Sequence, residues 1–174
     1  MAKSSFSNNY YMCHEPLDFD YGVLKAFDTL GTQHCNTMNR QDQNKRYLKQ
    51  LFCIALADAH LDQREEAYLL YTAEKMGISD NEFERIKQAP QSYDVVIPDN
   101  YYLRFRMIFD FVWMMMIDGE IDPREEEICK QMVNQLDFAS AIVDDLVEHI
   151  NYHLSCGISP EHTFSKFEEM LLDK

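Results

Sequence analysis

Two stretches sixty residues apart constrain this chain more than any other feature in it. Written one beneath the other, "ADAHLDQREE" (Ala57 to Glu66) and "IDGEIDPREE" (Ile117 to Glu126) place Asp58 on Asp118 and Asp62 on Asp122. Arg64, Glu65 and Glu66 fall on Arg124, Glu125 and Glu126, and Leu61 falls on Ile121. The likeness continues in kind on both sides: Leu51 on Phe111 and Ile54 on Met114 before, Tyr68 on Ile128, Ala73 on Val133 and Met76 on Leu136 after. A run this dense at one offset points to an internal repeat, a helix–acidic turn–helix hairpin used twice.

Each flank reads as helix. Tyr101, Phe105, Ile108, Val112 and Met115 form one apolar stripe at helical spacing,. Trp113 and Ile117 continue the opposite line, begun by Arg106 and Asp110, so the second half of this helix is apolar all round, as a central packed helix is,. Its methionines read as flexible core filler and not as a soft-metal site. The helices after the turns show Ile128, Cys129, Met132, Val133 and Leu136 in one copy, and Tyr68, Leu69, Thr72, Ala73 and Met76 in the other. Past Gly77, Ser79 with Glu82 three residues on predicts a capping box opening a further short helix,. "ASAIVDDLVEHINYHLS" is amphipathic, and "GISPEHTFSKFEEMLLDK" opens a last helix with Ser159 as cap and Pro160 at its first position,.

Glycine and proline are scarce, five each, and no segment alternates as a strand does,. The expected fold is therefore an all-α bundle of about seven helices built around two related hairpins. Its organisation is expected to be a loosely ordered segment 1–20, then one domain over 21–174 with copies at about 43–88 and 99–150, joined by the extended "APQSYDVVIP".

A formal net charge of −14 makes the surface repel phosphate backbones and anionic lipid,. The one basic stretch, "NRQDQNKRYLK", reads as a solvated helical face, so no nucleic-acid role is expected,. Divalent cations or a basic partner protein are the natural counterparts of this surface, and a homodimer is the expectation for a purely structural domain. The five cysteines (Cys13, Cys35, Cys53, Cys129, Cys156) are odd in number and scattered, as in a reducing cytoplasm,. The N-terminus has no apolar leader segment, and the longest apolar run, Phe111 to Ile117, is too short to enter a membrane as a span,.

The acidic turns have a plain reading. Asp122, Pro123 and Glu125 spell N-cap, N1 and N3 of a helix, and Asp62 with Glu65 repeats the pattern,. Asp58 and Asp118 resist it. Their expected place is the last turn of the preceding helix, where a negative charge faces the negative dipole end unless Arg64 and Arg124, or a bound cation, compensate. Asp118, Glu120 and Asp122 fit the first three ligand positions of an EF-hand loop,. Pro123 and Cys129 then replace the glycine and glutamate that such a loop requires, and the first copy fails at the same places,. The candidate ligands for a weaker, water-rich divalent site are Asp118, Glu125, Asp58, Glu65, Asp122 and Glu120.

An apolar, Met-rich helix end running into "IDGEIDPREE" on a duplicated hairpin resembles the TerB-like family over roughly residues 40 to 150. These are small all-α domains linked to bacterial tellurite resistance and found also as a module of membrane-anchored J-domain co-chaperones. The resemblance implies an acidic, divalent-metal-binding module without established catalysis, in which Asp118 and Glu125 lead and Asp58 and Glu65 are their counterparts. Ala59 and His60 depart from the motif in the first copy.

His149, His153 and Cys156 are spaced as one helical face that could offer zinc ligands, but they flank an apolar stripe and lack a fourth partner,. His14 and His34, beside Cys13 and Cys35, support no reading. No phosphate-binding, dinucleotide, nucleophile-elbow or zincin motif is present, so an enzyme would have to be a carboxylate-only metal hydrolase,. The competing non-catalytic reading is a structural or dimerising helical domain whose acidic turns are only caps.

Overall fold

The computed structural model describes residues 40–90, 95, 97–159 and 162–167. Six helices follow in order: α1 (Arg40–Ala55), α2 (Gln63–Lys75), α3 (Asp80–Gln88), α4 (Tyr101–Met116), α5 (Pro123–Gln135) and α6 (Ala141–Ser155). A helical segment over 162–167 follows them, and no strand occurs among the described residues. The expected all-α bundle is what forms. The segment 1–20 and the cysteine–histidine pairs near the N-terminus lie outside the described residues.

α4 is the axis. From Phe105 to Ile117 every residue is buried, as an all-round apolar sequence requires,. α1 and α4 pack together, α1 also touches α2, α3 and α5, and α6 closes on α4 and α5. Phe52, Trp113, Phe109 and Phe111 are among the largest side chains fully enclosed between them. Met107 and Met114 to Met116 lie in this core, as filler,.

Three polar side chains are buried with that axis. Arg106 (7% exposed) and Asp110 (4%) pair one turn apart on α4, Nε to Oδ1 at 3.2 Å. The Tyr47 hydroxyl on α1 donates to the other Asp110 oxygen at 2.5 Å. Burial and the neighbouring Asp110 push the Tyr47 phenol well above its ordinary value, so it stays a neutral donor,. Arg106 also lies over the Phe164 ring at 4.1 Å, which ties the 162–167 segment to α4,.

The ends of the helices follow their local chemistry with one exception. Gly77 (φ +68°) and Asp137 (φ +64°) turn the chain left-handed after α2 and α5, and the next N–H returns to a carbonyl five residues back: Ile78 to Ala73, Phe138 to Val133,. A buried Asn44 amide on α1 donates to the Met76 carbonyl at 3.1 Å, satisfying an orphan acceptor at the end of α2,. The box expected at Ser79 does not close. Ser79 is the N-cap by position but its side chain makes no cap bond, so only the return half of the box is present: Glu82 accepts from Ser79 and also pairs with Lys45 from α1. Ser159 caps as expected, taking the His162 N–H at 3.4 Å, and Pro160 lies outside the described residues.

Removing one member of a buried ionic group is costlier than removing a neutral hydrogen bond to it. Asp110→Ala is therefore expected to destabilise by about 3–5 kcal/mol. Tyr47→Phe is expected to lose about 1–2 kcal/mol. Urea unfolding followed by circular dichroism measures both; equal or reversed losses would contradict the role given to Asp110.

Candidate functional site: two facing acidic turns

The two turns are built from the same bonds. Ala59 N donates to Leu56 O at 3.1 Å, and Gly119 N to Met116 O at 3.0 Å. Both residues are left-handed, Ala59 at φ +67° and Gly119 at φ +87°. Asp58 then accepts from His60 N at 2.6 Å, and Asp118 accepts from Glu120 N at 2.9 Å. Asp62 and Asp122 cap α2 and α5, each accepting from an arginine N–H, Arg64 or Arg124, at 2.8 Å,.

This geometry corrects the place expected for Asp58 and Asp118. α1 ends at Ala55 and α4 at Met116, so both aspartates lie beyond their helices, in the turn. There each side chain mimics a backbone turn by holding the N–H two residues on. An acid that looked misplaced against a helix dipole is a turn former.

The glutamates are the unusual members. Glu65 is 3% exposed and Glu125 is 6% exposed, although both stand in the first turn of a helix. Burial lifts the Glu65 carboxyl from an ordinary 4.5 to about 7, partly offset by the bond from Asp62 N at 2.7 Å, with Asp118, Asp62 and Asp58 raising it further. Burial likewise lifts Glu125 to about 8, and next in weight comes the charge of Glu65, then Asp118, Asp58 and Asp122,. Acids of one turn thus act on the glutamate of the other, so the two turns meet. The arginines are exchanged in the same manner: Arg64 offsets the rise of Asp118, and Asp58 supports the charge of Arg124. Asp118 itself is raised, by burial first, and Asp122 is lowered by its bonds to Arg124, whose Nε lies 2.9 Å away.

The two turns are not equal. Glu65 closes a full capping box with Asp62,. At the second turn Pro123 occupies the helix start, and Glu125 makes no reciprocal bond to its N-cap,. Glu120, the extra acid of the second turn, is exposed and enters through its N–H to Asp118. The six candidate ligands therefore divide: Asp58, Glu65, Asp118, Asp122 and Glu125 share one electrostatic neighbourhood, to which the cap Asp62 also belongs, while Glu120 is at its rim. Among the described residues no three acid, histidine or cysteine side chains stand close enough to grip a metal directly.

The histidine face is separate from this centre. His149 and His153 both set their rings against Phe167, at 5.7 and 6.3 Å between centroids, and Cys156 is exposed at the end of α6. Their role here is to pack the C-terminal segment.

Helical hairpins that bury paired acids between their turns define the class: a small all-α module with an acidic inter-turn centre. The family model described as "Tellurite resistance protein TerB" matches residues 25–88, and the chain is TerB-like over that stretch. The match lies on the first hairpin with α3, whereas the residues that first carried the resemblance are those of the second turn. No curated protein and no solved structure matches the chain.

The raised carboxyls fix the sign of a pH effect. Between about 4.5 and 8 the folded protein holds protons at Glu65 and Glu125 that the unfolded chain releases, so stability falls as pH rises through that window. Glu125→Gln removes the upper part of this loss. In metal-free buffer the variant is expected to be more stable than the wild type at the alkaline end and to show a flatter pH–stability profile. A variant less stable than the wild type there would contradict the burial of a strained acid.

Proposed function

We propose that the protein is a cytoplasmic, non-catalytic TerB-like module whose two acidic turns act as one centre for a divalent cation. The observation that carries this reading is the burial of Glu65 and Glu125 within reach of each other's charge and of Asp58 and Asp118. Two carboxylates held so need either a shared proton or a cation at neutral pH. The donors are all oxygens, which suits Mg²⁺, Ca²⁺ or Mn²⁺ over softer metals. Because the carboxylates do not converge as a ready ligand set, the cation is held largely through its waters, with Asp118 and Glu125 the leading contacts and Asp58, Glu65, Asp122 and Glu120 around them. The family's description extends the reading to tellurite resistance or a related stress. No helix among the described residues is long and apolar enough to cross a membrane.

A second reading has its own observation. The capping box at Asp62 and Glu65 gives those acids a purely structural task, and a structural or dimerising domain would need nothing more. Calorimetric titration with Mg²⁺, Ca²⁺, Mn²⁺ and Zn²⁺ separates the two. The cation reading expects saturable heat with at least one hard cation at one site per chain, lost in Asp118→Asn and Glu125→Gln. Absence of heat with every metal, together with an unchanged melting temperature, would leave the caps as the whole account. In that case each substitution is expected to lower stability by about 0.5–2 kcal/mol without metal.

A further inference from the structure

The two hairpins stand in one register but dress their outer faces differently. On α5, Lys130 bridges two acids, Glu126 on its own helix at 2.5 Å and Asp144 on α6 at 2.9 Å. Beside it Gln131 donates to Glu127 at 2.8 Å. A cation and its two acids thus span the crossing of α5 with α6. Sixty residues earlier both acids recur, as Glu66 and Glu84, but the lysine position is Leu70. Glu127 and Gln131 become Ala67 and Tyr71, and Val133 becomes the smaller Ala73.

The consequence is an open trough of about 550 Å³ between α2 and α3. Ala67, Ala73, Ile78 and Phe83 line it with Leu70 and Tyr71. Leu70 is 46% exposed, one of few large apolar side chains so displayed. Two exposed acids, Glu74 and Asp80, stand at its edge. Glu84, the counterpart of Asp144, is exposed beside Phe83. Glu66 takes Lys87 of α3 instead, at 2.5 Å. The first hairpin therefore moves its cation to Lys87 of α3, carries Lys75 over the Tyr71 ring at 5.2 Å, and leaves an apolar side chain at the Lys130 position, with Glu84 exposed.

We propose that this trough docks a basic amphipathic helix of a partner protein. Its apolar residues cover Leu70 and the small residues beneath it, in the manner of a helix laid in a groove. Its lysines or arginines meet Glu74, Asp80 and Glu84, supplying in trans the charge that Lys130 supplies within the chain at the other hairpin. The net charge of −14 favours such a partner and disfavours a second copy, which would bring acids against acids,. The surface is independent of the acidic centre, and its test is run with chelator present.

The probe is a fluorescently labelled helical peptide of leucine and lysine, read by anisotropy against the full chain, with a twin carrying glutamate for lysine. The lysine peptide is expected to bind saturably and its glutamate twin not to bind. Leu70→Lys installs the other hairpin's lysine at an exposed position, and Ala67→Glu installs its glutamate. Leu70→Lys is expected to weaken peptide binding at least about tenfold, a loss of roughly 1.4 kcal/mol, at an unchanged or higher melting temperature. Ala67→Glu, which obstructs the trough without adding a cation, is expected to weaken it as well. No binding, equal binding of both peptides, or binding indifferent to both substitutions would overturn the proposal. So would a concentration-dependent dimer of the wild type that Leu70→Lys abolishes, which would give the trough to a second copy.

Discussion

Two carboxylates withdrawn from water beside one another are what the rest of this structure has to accommodate. Taking a carboxylate out of solvent disfavours its charged form, and a second one nearby does so again. Glu65 and Glu125 are held in that state by helix starts they do not control: Asp62 and Asp122 fix the first turns of α2 and α5, and the glutamates three residues on point inward as a result. The same first-turn position that makes a glutamate favourable to a helix dipole makes it unfavourable to its twin across the bundle. The arginines moderate this conflict from the exposed side, each acting on the acid of the opposite turn.

The packing of α1 on α4 brings the conflict about. Both helices end in an acidic turn, so setting them side by side brings the turns together. Their contact is fixed by more than apolar fit, since the Tyr47 hydroxyl of α1 reaches the Asp110 carboxylate of α4 in the core. A buried polar bond of this kind contributes modestly to stability but penalises any slip that leaves Asp110 and Arg106 unpaired. Arg106 carries the constraint onward to Phe164, and through it to the 162–167 segment packed by His149 and His153.

Much of this was legible in the sequence wherever one local rule decided the outcome. The caps at Asp62 and Asp122, the all-round burial of α4 and the all-α class follow from residue type and spacing alone, and the likeness to TerB was visible in the turns. Local rules failed where distant residues competed. Ser79 and Glu82 spell a capping box, but only Glu82 makes its half, and it is shared with Lys45 on another helix. Arg106 and Asp110 begin the line opposite the apolar stripe, and they are buried because Tyr47 and Phe164 supply partners that a helical wheel does not contain. The centre itself was half legible. Its acids stand out in the sequence, yet nothing in the spacing says that Glu65 and Glu125 lose their solvent, or that Asp118 folds back on the Glu120 N–H beyond the end of its helix.

The centre depends on the ionisation of Glu65 and Glu125, and side-chain carboxyl ¹³C resonances report it directly. In metal-free protein the Glu65 and Glu125 carboxyls are expected to titrate with apparent midpoints near 7 and 8, as an interacting pair and apart from the exposed glutamates. Both moving at the ordinary value near 4.5 would show that the turns do not bury their acids together, and the account of this centre would fail with them.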